Sequence, residues 1–129
     1  MGERMNESAD TLVVIVDDDH YVLESLEDLL ASGGFRTRAF ISGQAFLESG
    51  ALLSTGCLIS DVYMPNMTGW ELGARARAGR PQLPIILMSG NDEAFSNVSM
   101  HGERAGHVLM RKPLDGPKLL DAVRAALAK

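Results

Sequence analysis

Short apolar runs separated by turn residues recur along the whole chain. Leu12 to Val16 is a continuous apolar run rich in β-branched residues, which is typical of a strand covered on both faces of a parallel sheet. Apolar residues then recur at helical spacing from Val22 to Leu30, and Gly33-Gly34 ends that pattern. Continued along the chain, this alternation predicts strands over residues 12–16, 35–41, 57–61, 84–88 and 107–110. It predicts four helices, over about residues 22–31, 42–49 with Ser42 as the N-cap, 70–78 and 115–128. A fifth, weaker helix is predicted after a turn at residues 89–92.

Five strands that alternate with five helices predict an α/β domain of three layers. Right-handed crossovers and short connections favour a doubly wound, flavodoxin-like parallel sheet with the strand order 2-1-3-4-5. We expect one domain over residues 11–129. A flexible lead-in is expected over residues 1–10, because this stretch is mostly polar and has no run of apolar residues to anchor it.

Composition and charge exclude several classes of protein. The chain has 129 residues, 46% of them hydrophobic, and a formal net charge of −5, which suits one globular domain. Its basic residues are scattered rather than gathered into a stripe, so we expect no direct contact with nucleic acid. No apolar run approaches the roughly 18 residues of a membrane span, and the first ten residues lack the apolar core of a signal peptide. The one cysteine, Cys57, permits no internal disulfide, which favours a cytoplasmic location.

Side chains able to do chemistry stand at the carboxyl ends of the predicted strands. In open parallel sheets, ligands bind outside these ends. The first strand ends at Asp17 and Asp18, the third at Asp61, the fourth at Ser89, and the fifth runs into Lys112. The sequence therefore predicts three carboxylates, a hydroxyl and an ammonium at one edge of the sheet.

Three neighbouring carboxylates repel one another, and a divalent cation among them relieves the repulsion. Magnesium prefers about six oxygen ligands, several of which are water or phosphate oxygens. Asp17 or Asp18, Asp61 and a backbone carbonyl could supply the protein's share, which predicts a Mg²⁺ site. A carboxylate held in this way can attack phosphorus and form an acyl phosphate.

The motifs together resemble the receiver domain of response regulators. The resemblance rests on Val16-Asp17-Asp18, on the stretch from Asp61 to Leu72, on Ser89 and on Lys112-Pro113. The pattern D-x-x-M-P-x-M-x-G-x-E-L in that stretch, in register with the other motifs, is highly specific. The match covers roughly residues 11–128.

The resemblance implies that Asp61 is the phosphoacceptor. It also implies that Asp17, Asp18 and Asp61 hold Mg²⁺, with the backbone carbonyl of Tyr63 as a further protein ligand. A chain of this family is a signalling switch rather than an enzyme, and it catalyses only its own phosphorylation and dephosphorylation.

A second set of residues is implied in switching. Ser89 is expected to turn toward the phosphoryl group and Lys112 to contact it, with a cis bond before Pro113. Asn91 is expected to flank the site and to influence the rate of hydrolysis. Leu109 departs from the family, which usually has an aromatic residue there that moves inward with the hydroxyl residue, so that rotamer change is not expected in this chain.

The resemblance also implies partners. The phosphoryl group would come from a sensor histidine kinase or a histidine phosphotransfer protein, and it adds about 1.5 to 2 negative charges at Asp61. The switched face is expected to consist of the fourth helix, the fifth strand and the fifth helix, and the same face is a candidate homodimer interface. The pattern is most similar to receivers that often precede DNA-binding domains, so truncation from a longer regulator is an open alternative.

Two other functions remain open at this point. Asp17-Asp18-Asp19 also fits the D-x-D opening of haloacid-dehalogenase-like phosphatases, with Asp17 as nucleophile. Tyr21 stands where that motif prefers Thr or Val, and the chain is short for that fold with a substrate cap. The other alternative is a degenerate receiver that works as an interaction module without phosphorylation, although every acidic and basic site residue is present.

The remaining reactive residue types have structural interpretations. Cys57 opens a buried strand and is interpreted as a small core residue. His20, His101 and His107 are isolated and share no metal-ligand spacing with Cys57, which argues against a zinc site. His20 is expected to be exposed near the edge of the site, and Trp70 is expected to pack near the loop after Asp61.

Overall fold

A computed structural model describes residues 12–90 and 107–128 of the chain. Within these residues five parallel strands form one sheet in the order β2-β1-β3-β4-β5. The strands are β1 Leu12–Val16, β2 Arg36–Phe40, β3 Thr55–Asp61, β4 Ile85–Ser89 and β5 Val108–Arg111. The predicted doubly wound, flavodoxin-like α/β fold and its strand order are confirmed.

Four α-helices lie in the described ranges. They are α1 His20–Ser32, α2 Gly43–Ser49, α3 Gly69–Gly79 and α4 Gly116–Leu127. A short 3-10 helix at Ala51–Ser54 follows α2 and was not expected from the pattern. Helix α4 is the predicted fifth helix, whereas the predicted fourth helix, the lead-in over residues 1–10, Asn91 and His101 lie outside the described residues.

Side chains cap the helices where the sequence places short polar residues. The Asp19 carboxylate accepts hydrogen bonds from the N–H groups of Tyr21 and Val22, and the Ser42 hydroxyl accepts one from Ala45. Asp115 caps α4 in the same way, by accepting a hydrogen bond from the Lys118 N–H. These bonds satisfy N–H groups that have no partner inside their helices, and so fix where the helices begin.

The apolar core lies on both faces of the sheet. Alternate residues of β1 divide between two clusters: Val14 and Val16 face Phe46 of α2, whereas Val13 and Ile15 face Leu26 of α1. All five residues of β1 are buried, as are all five of β4. The continuous apolar runs in the sequence are therefore strands covered on both sides, as predicted.

Strand β3 begins two residues earlier than the apolar pattern indicates. Thr55 is buried, but its hydroxyl donates to the carbonyl of Ala51, and its own carbonyl accepts a hydrogen bond from the Arg80 guanidinium. The polar groups of Thr55 thus have partners inside the protein, which removes the main obstacle to burying them. Apolarity alone could not show where this strand starts.

Among residues 12–90 and 107–128, no helix combines the length and the apolar character that crossing a bilayer requires.

Cys57 tests whether the centre of β3 is as well protected as its packing indicates. The side chain is fully buried, and burial raises the pKa of the thiol to about 12. We therefore expect no reaction with an aromatic disulfide reagent at pH 8 in the folded chain, and reaction of one thiol per chain in denaturant. Spectrophotometric thiol counting measures this, and labelling of the folded chain at the rate of an unfolded peptide would contradict it.

Candidate functional site

Four strands deliver the predicted side chains to one edge of the sheet. Asp17 directly follows β1, Asp61 ends β3, Ser89 ends β4 and Lys112 directly follows β5. Because β1 pairs with β3, β3 with β4, and β4 with β5, these residues stand side by side along that edge. The sheet therefore brings together residues that are up to 95 positions apart in the sequence.

The three predicted carboxylates form one cluster. One carboxylate oxygen from each of Asp17, Asp18 and Asp61 lies within 4.8 Å of the other two. Asp17 is fully buried, Asp61 is 9% exposed and Asp18 lies on the surface. The cluster thus extends from the interior to solvent, with Asp61 between.

Lys112 is the cation that holds the cluster together. Its Nζ atom lies 3.0 Å from Oδ2 of Asp17 and 3.2 Å from Oδ1 of Asp61. Burial by itself would lower the pKa of Lys112, but the hydrogen bond and charge of Asp17, joined by those of Asp61, outweigh burial and raise it. Lys112 therefore stays charged and contacts both carboxylates at once.

Lys112 compensates the negative charge of Asp61 only in part. Burial raises the pKa of its carboxyl, the charge of Asp17 raises it further, and Lys112 only partly opposes the rise. Three carboxylates beside one ammonium leave two negative charges in the cluster when all are ionised. This excess and the all-oxygen donor set fit a divalent cation such as Mg²⁺.

The acidic run Asp17-Asp18-Asp19 divides into different roles. Asp17 accepts the N–H of Asp19 on Oδ1 at 2.9 Å while its other oxygen contacts Lys112. Asp19 turns away from the cluster to cap α1. His20 is exposed, as expected, and its Nε2 lies 3.5 Å from Glu24.

The loop after β3 is held tightly to the sheet. The Val62 N–H donates to Met88 of β4, and the Gly69 N–H donates to the Val62 carbonyl at 2.7 Å. A Cβ atom on Gly69 would press against the carbonyl oxygen of Asp61 and lie 3.1 Å from the Cα of Val62. The lack of a side chain at Gly69 thus allows the close approach to the backbone of Asp61. The sequence motif includes this glycine, but the motif alone does not show which contact requires it.

Thr68 begins α3 directly beside this contact. Its hydroxyl accepts the Glu71 N–H at 3.1 Å, and the Glu71 carboxylate accepts the Thr68 N–H at 3.2 Å. This reciprocal capping box fixes the first turn of α3. The T-x-x-E spacing at residues 68–71 could have revealed it in the sequence.

The remaining predicted site residues lie around the cluster in different environments. Ser89 is buried, and its carbonyl accepts the Lys112 N–H at 2.9 Å. Tyr63 is 40% exposed, in the loop after Asp61. Leu109 is partly buried against the core beneath α3, and the bond between Lys112 and Pro113 is cis, as predicted.

Comparison with known proteins finds matches along nearly the whole chain. The family model described as the response regulator receiver domain matches residues 13–124. The response regulator protein TmoT of Ectopseudomonas mendocina is 36% identical over 128 residues, covering 98% of this chain and 57% of TmoT. The transcriptional regulatory protein FixJ of Azorhizobium caulinodans is 35% identical over 117 residues, covering 91% of this chain and 55% of FixJ. The chain therefore spans little more than half the length of these relatives.

One solved structure extends the comparison to the fold. The crystal structure of a response regulator receiver domain protein from Clostridium thermocellum superposes with a TM-score of 0.80, over 92% of this chain and 94% of that one. Its sequence identity is 19%, so it supports the fold alone.

The charge excess at Asp61 predicts how stability changes when that charge is removed. Because the pKa of Asp61 lies above its ordinary value of 3.8 in the folded chain, ionising it weakens the fold. We expect Asp61→Asn to raise the free energy of unfolding at pH 7 without Mg²⁺ by about 1 kcal/mol, the usual scale of one substitution. The gain should vanish as the pH falls below 3.8, where Asp61 is protonated in both states.

Urea unfolding at pH 7 and at pH 3.5 measures this difference. Asp28→Asn is the matched control, because Asp28 lies exposed on α1 away from the cluster, and we expect little change at either pH. A loss of stability in Asp61→Asn at pH 7, or a gain that is the same at both pH values, would contradict the account.

Gly69 predicts a steric effect on the same loop. Gly69→Ala should destabilise the fold by about 1–3 kcal/mol, because its new methyl group must displace backbone atoms. Gly79→Ala at the other end of α3 is the control, since its Cβ would meet only the tip of Leu52 at 3.2 Å. Thermal unfolding of both variants measures the contrast, and equal stability of the two would show that the loop is not tightly packed.

Proposed function

The chain belongs to the family of response regulator receiver domains, and on that premise we propose that Asp61 accepts the phosphoryl group. The observation that carries the proposal is the position of Asp61: it ends the central strand β3, beside Asp17, Asp18 and the Lys112 ammonium. Its side chain is 12% exposed, against 1% for Asp17, so Asp61 is the more accessible of the two carboxylates that Lys112 contacts.

The proposed reaction transfers a phosphoryl group between proteins. A carboxylate oxygen of Asp61 attacks the phosphorus of a phosphohistidine, the new O–P bond forms, and the N–P bond breaks. The imidazole of the donor leaves and takes up a proton. The signal ends by hydrolysis. Water attacks the same phosphorus, the O–P bond to Asp61 breaks, inorganic phosphate leaves and Asp61 regains its carboxylate.

Asp17 is poorly suited to the same role. It is fully buried, one of its oxygens accepts the Asp19 N–H and the other contacts Lys112. A nucleophile needs an open approach to phosphorus, which these contacts obstruct. The match to the receiver family over residues 13–124 likewise gives no support to a haloacid-dehalogenase-like phosphatase.

We propose that Asp17, Asp18 and Asp61 hold Mg²⁺, with the backbone carbonyl of Tyr63 as a further ligand. The shared 4.8 Å cluster of carboxylate oxygens and its excess negative charge support this assignment. When bound, the ion would neutralise charge on the phosphoryl oxygens. Lys112 would serve the same end from its position beside Asp61, where its ammonium can exchange a carboxylate partner for a phosphoryl oxygen.

Ser89 is proposed as the residue that senses the phosphoryl group. It ends the strand next to β3, and its carbonyl is tied to the N–H of Lys112. A phosphoryl oxygen would give the Ser89 hydroxyl and the Lys112 ammonium a shared partner, which favours one of two conformations of this edge. The switched face and candidate dimer surface would include β5 and α4; their third component, the predicted fourth helix, lies outside the described residues.

Partners follow from this chemistry. The donor would be a histidine kinase or a histidine phosphotransfer protein, and an apolar groove of about 550 Å³ between α1 and residues 112–114 offers it a surface beside Lys112. TmoT is named a response regulator and FixJ a transcriptional regulatory protein. By analogy we propose that this chain regulates transcription as part of a longer protein, in the cytoplasm and without itself contacting DNA or membrane.

Incubation with acetyl phosphate and Mg²⁺, followed by intact-mass measurement, tests the phosphoacceptor. We expect one phosphoryl adduct on the native chain that is lost in hydroxylamine, and none on Asp61→Asn, because the proposed nucleophile is then missing and both oxygens of the buried Asp17 are engaged. Asp28→Asn should keep the adduct, and omission of Mg²⁺ should reduce it by an order of magnitude or more.

Each alternative function gives a different result in that experiment. An adduct that persists in Asp61→Asn and disappears in Asp17→Asn would favour the phosphatase assignment. No adduct and no beryllofluoride binding by the native chain, with Mg²⁺ present, would instead favour an interaction module that is never phosphorylated.

A further inference from the structure

A stacked pair of aromatic rings joins α3 to the start of β5. The indole of Trp70 and the imidazole of His107 have centroids 6.0 Å apart and planes inclined by 19°. Trp70 is the second residue of α3, and His107 directly precedes β5. None of the chemistry assigned to the Asp61 site uses either ring.

Helix α3 has a gap that matches the imidazole. Gly73 lies one turn after Trp70, on the same face of the helix. A Cβ atom there would lie 2.9 Å from Cε1 and 3.1 Å from Nε2 of His107. Glycine weakens the middle of a helix, so its presence at this position indicates that the space for the ring matters more than helix stability.

Within residues 12–90 and 107–128, the imidazole of His107 has no hydrogen-bond partner. Both Nδ1 and Nε2 of His107 are buried, and neither has a partner among the described residues. Burial, with a smaller effect from the charge of Arg77, lowers the pKa of His107 to about 4, so the ring is neutral at pH 7. The contact between the two rings is one of stacking and close fit, and it leaves both imidazole nitrogens without a partner in the part of the chain that the structure describes.

Two opposing contributions therefore meet at His107. Stacking and apolar contact favour the closed arrangement, whereas the two unpaired nitrogens favour an open one in which water can reach them. The free energies typical of ring stacking and of an unsatisfied buried polar group overlap. A contact with this balance can be shifted by a modest bias from elsewhere in the fold.

Both rings are connected to the Asp61 site by short paths. Trp70 follows Gly69, which lies against the carbonyl of Asp61. His107 directly precedes the strand that leads to Lys112, whose ammonium contacts Asp61. The aliphatic Leu109, two residues after His107, packs against the same core cluster as Trp70. The stack thus links the first turn of α3, which follows the loop after Asp61, to the start of β5, which leads to Lys112.

We propose that the Trp70–His107 stack is a latch that is closed in the unphosphorylated chain and opens when Asp61 is phosphorylated. The proposal rests on the proposed function of Asp61. Opening separates the first turn of α3 from the start of β5 and gives the imidazole nitrogens access to water. A conformational signal thereby reaches the β5 edge without an aromatic side chain at position 109.

The native chain allows a direct test, because Trp70 is its one tryptophan. Beryllofluoride with Mg²⁺ serves as the phosphoryl mimic, and ¹⁹F NMR shows whether it is bound. On binding, we expect the Cε1 proton of His107 to lose the ring-current shift of the indole, and acrylamide quenching of Trp70 to rise by about twofold or more as the latch opens. The His107→Leu variant assigns the resonance.

A designed variant tests the same idea from the other direction. Gly73→Ala places a methyl group against the ring, which should open the latch in advance and tighten beryllofluoride binding by about three- to tenfold. Gly79→Ala, on the same helix but away from both rings, should bind as the native chain does.

The outcomes separate this proposal from the proposed function. Bound beryllofluoride with an unchanged His107 resonance and unchanged quenching of Trp70 would overturn the latch and leave the role of Asp61 intact. No bound beryllofluoride would contradict the proposed function, and the latch would fall with it.

Discussion

The contact of one ammonium with two carboxylates is the constraint around which the site is built. Lys112 reaches both Asp17 and Asp61, at 3.0 and 3.2 Å, from a strand that follows Asp17 by more than ninety residues in the sequence. The parallel strand order β1-β3-β4-β5 brings the carboxyl ends of these strands to one edge of the sheet, where the contact forms. Yet it does not neutralise the cluster, and the residual negative charge prepares the site for a divalent cation and a phosphoryl group. Stability and reactivity are thus opposed at Asp61.

Local structure keeps this strained cluster in place. The Asp19 cap fixes the start of α1 immediately after Asp17, while Gly69 and the Thr68–Glu71 capping box fix the loop after Asp61. Below them, both faces of β1 and β4 are buried in the apolar core, so the strand ends cannot shift independently. Backbone packing thus holds the carboxylates within reach of the Lys112 ammonium.

Periodicity and strand-end chemistry predicted the fold and the grouping of three carboxylates and a lysine at one edge of the sheet. The continuous apolar run at residues 12–16 indicated a central strand, and the strand order placed Asp17, Asp61 and Lys112 together. The pattern could not show that Thr55 belongs to β3. Its polar groups are satisfied by the carbonyl of Ala51 and the guanidinium of Arg80, and hydrophobic periodicity carries no information about such hydrogen bonds. Nor could it reveal the packing of His107 against Gly73 and Trp70, because a lone histidine carries no signal of its neighbours across the fold.

The titration of the Asp61 carboxyl is the most direct measure of the uncompensated charge on which the site depends. Carbon-13 NMR of the side-chain carboxyl, recorded against pH with and without Mg²⁺, reports that titration at the atom concerned. We expect a pKa above 3.8 in the metal-free chain and a clear fall when Mg²⁺ is added. A pKa at or below 3.8 that does not respond to Mg²⁺ would contradict it, because the cluster would then be fully compensated by Lys112 alone.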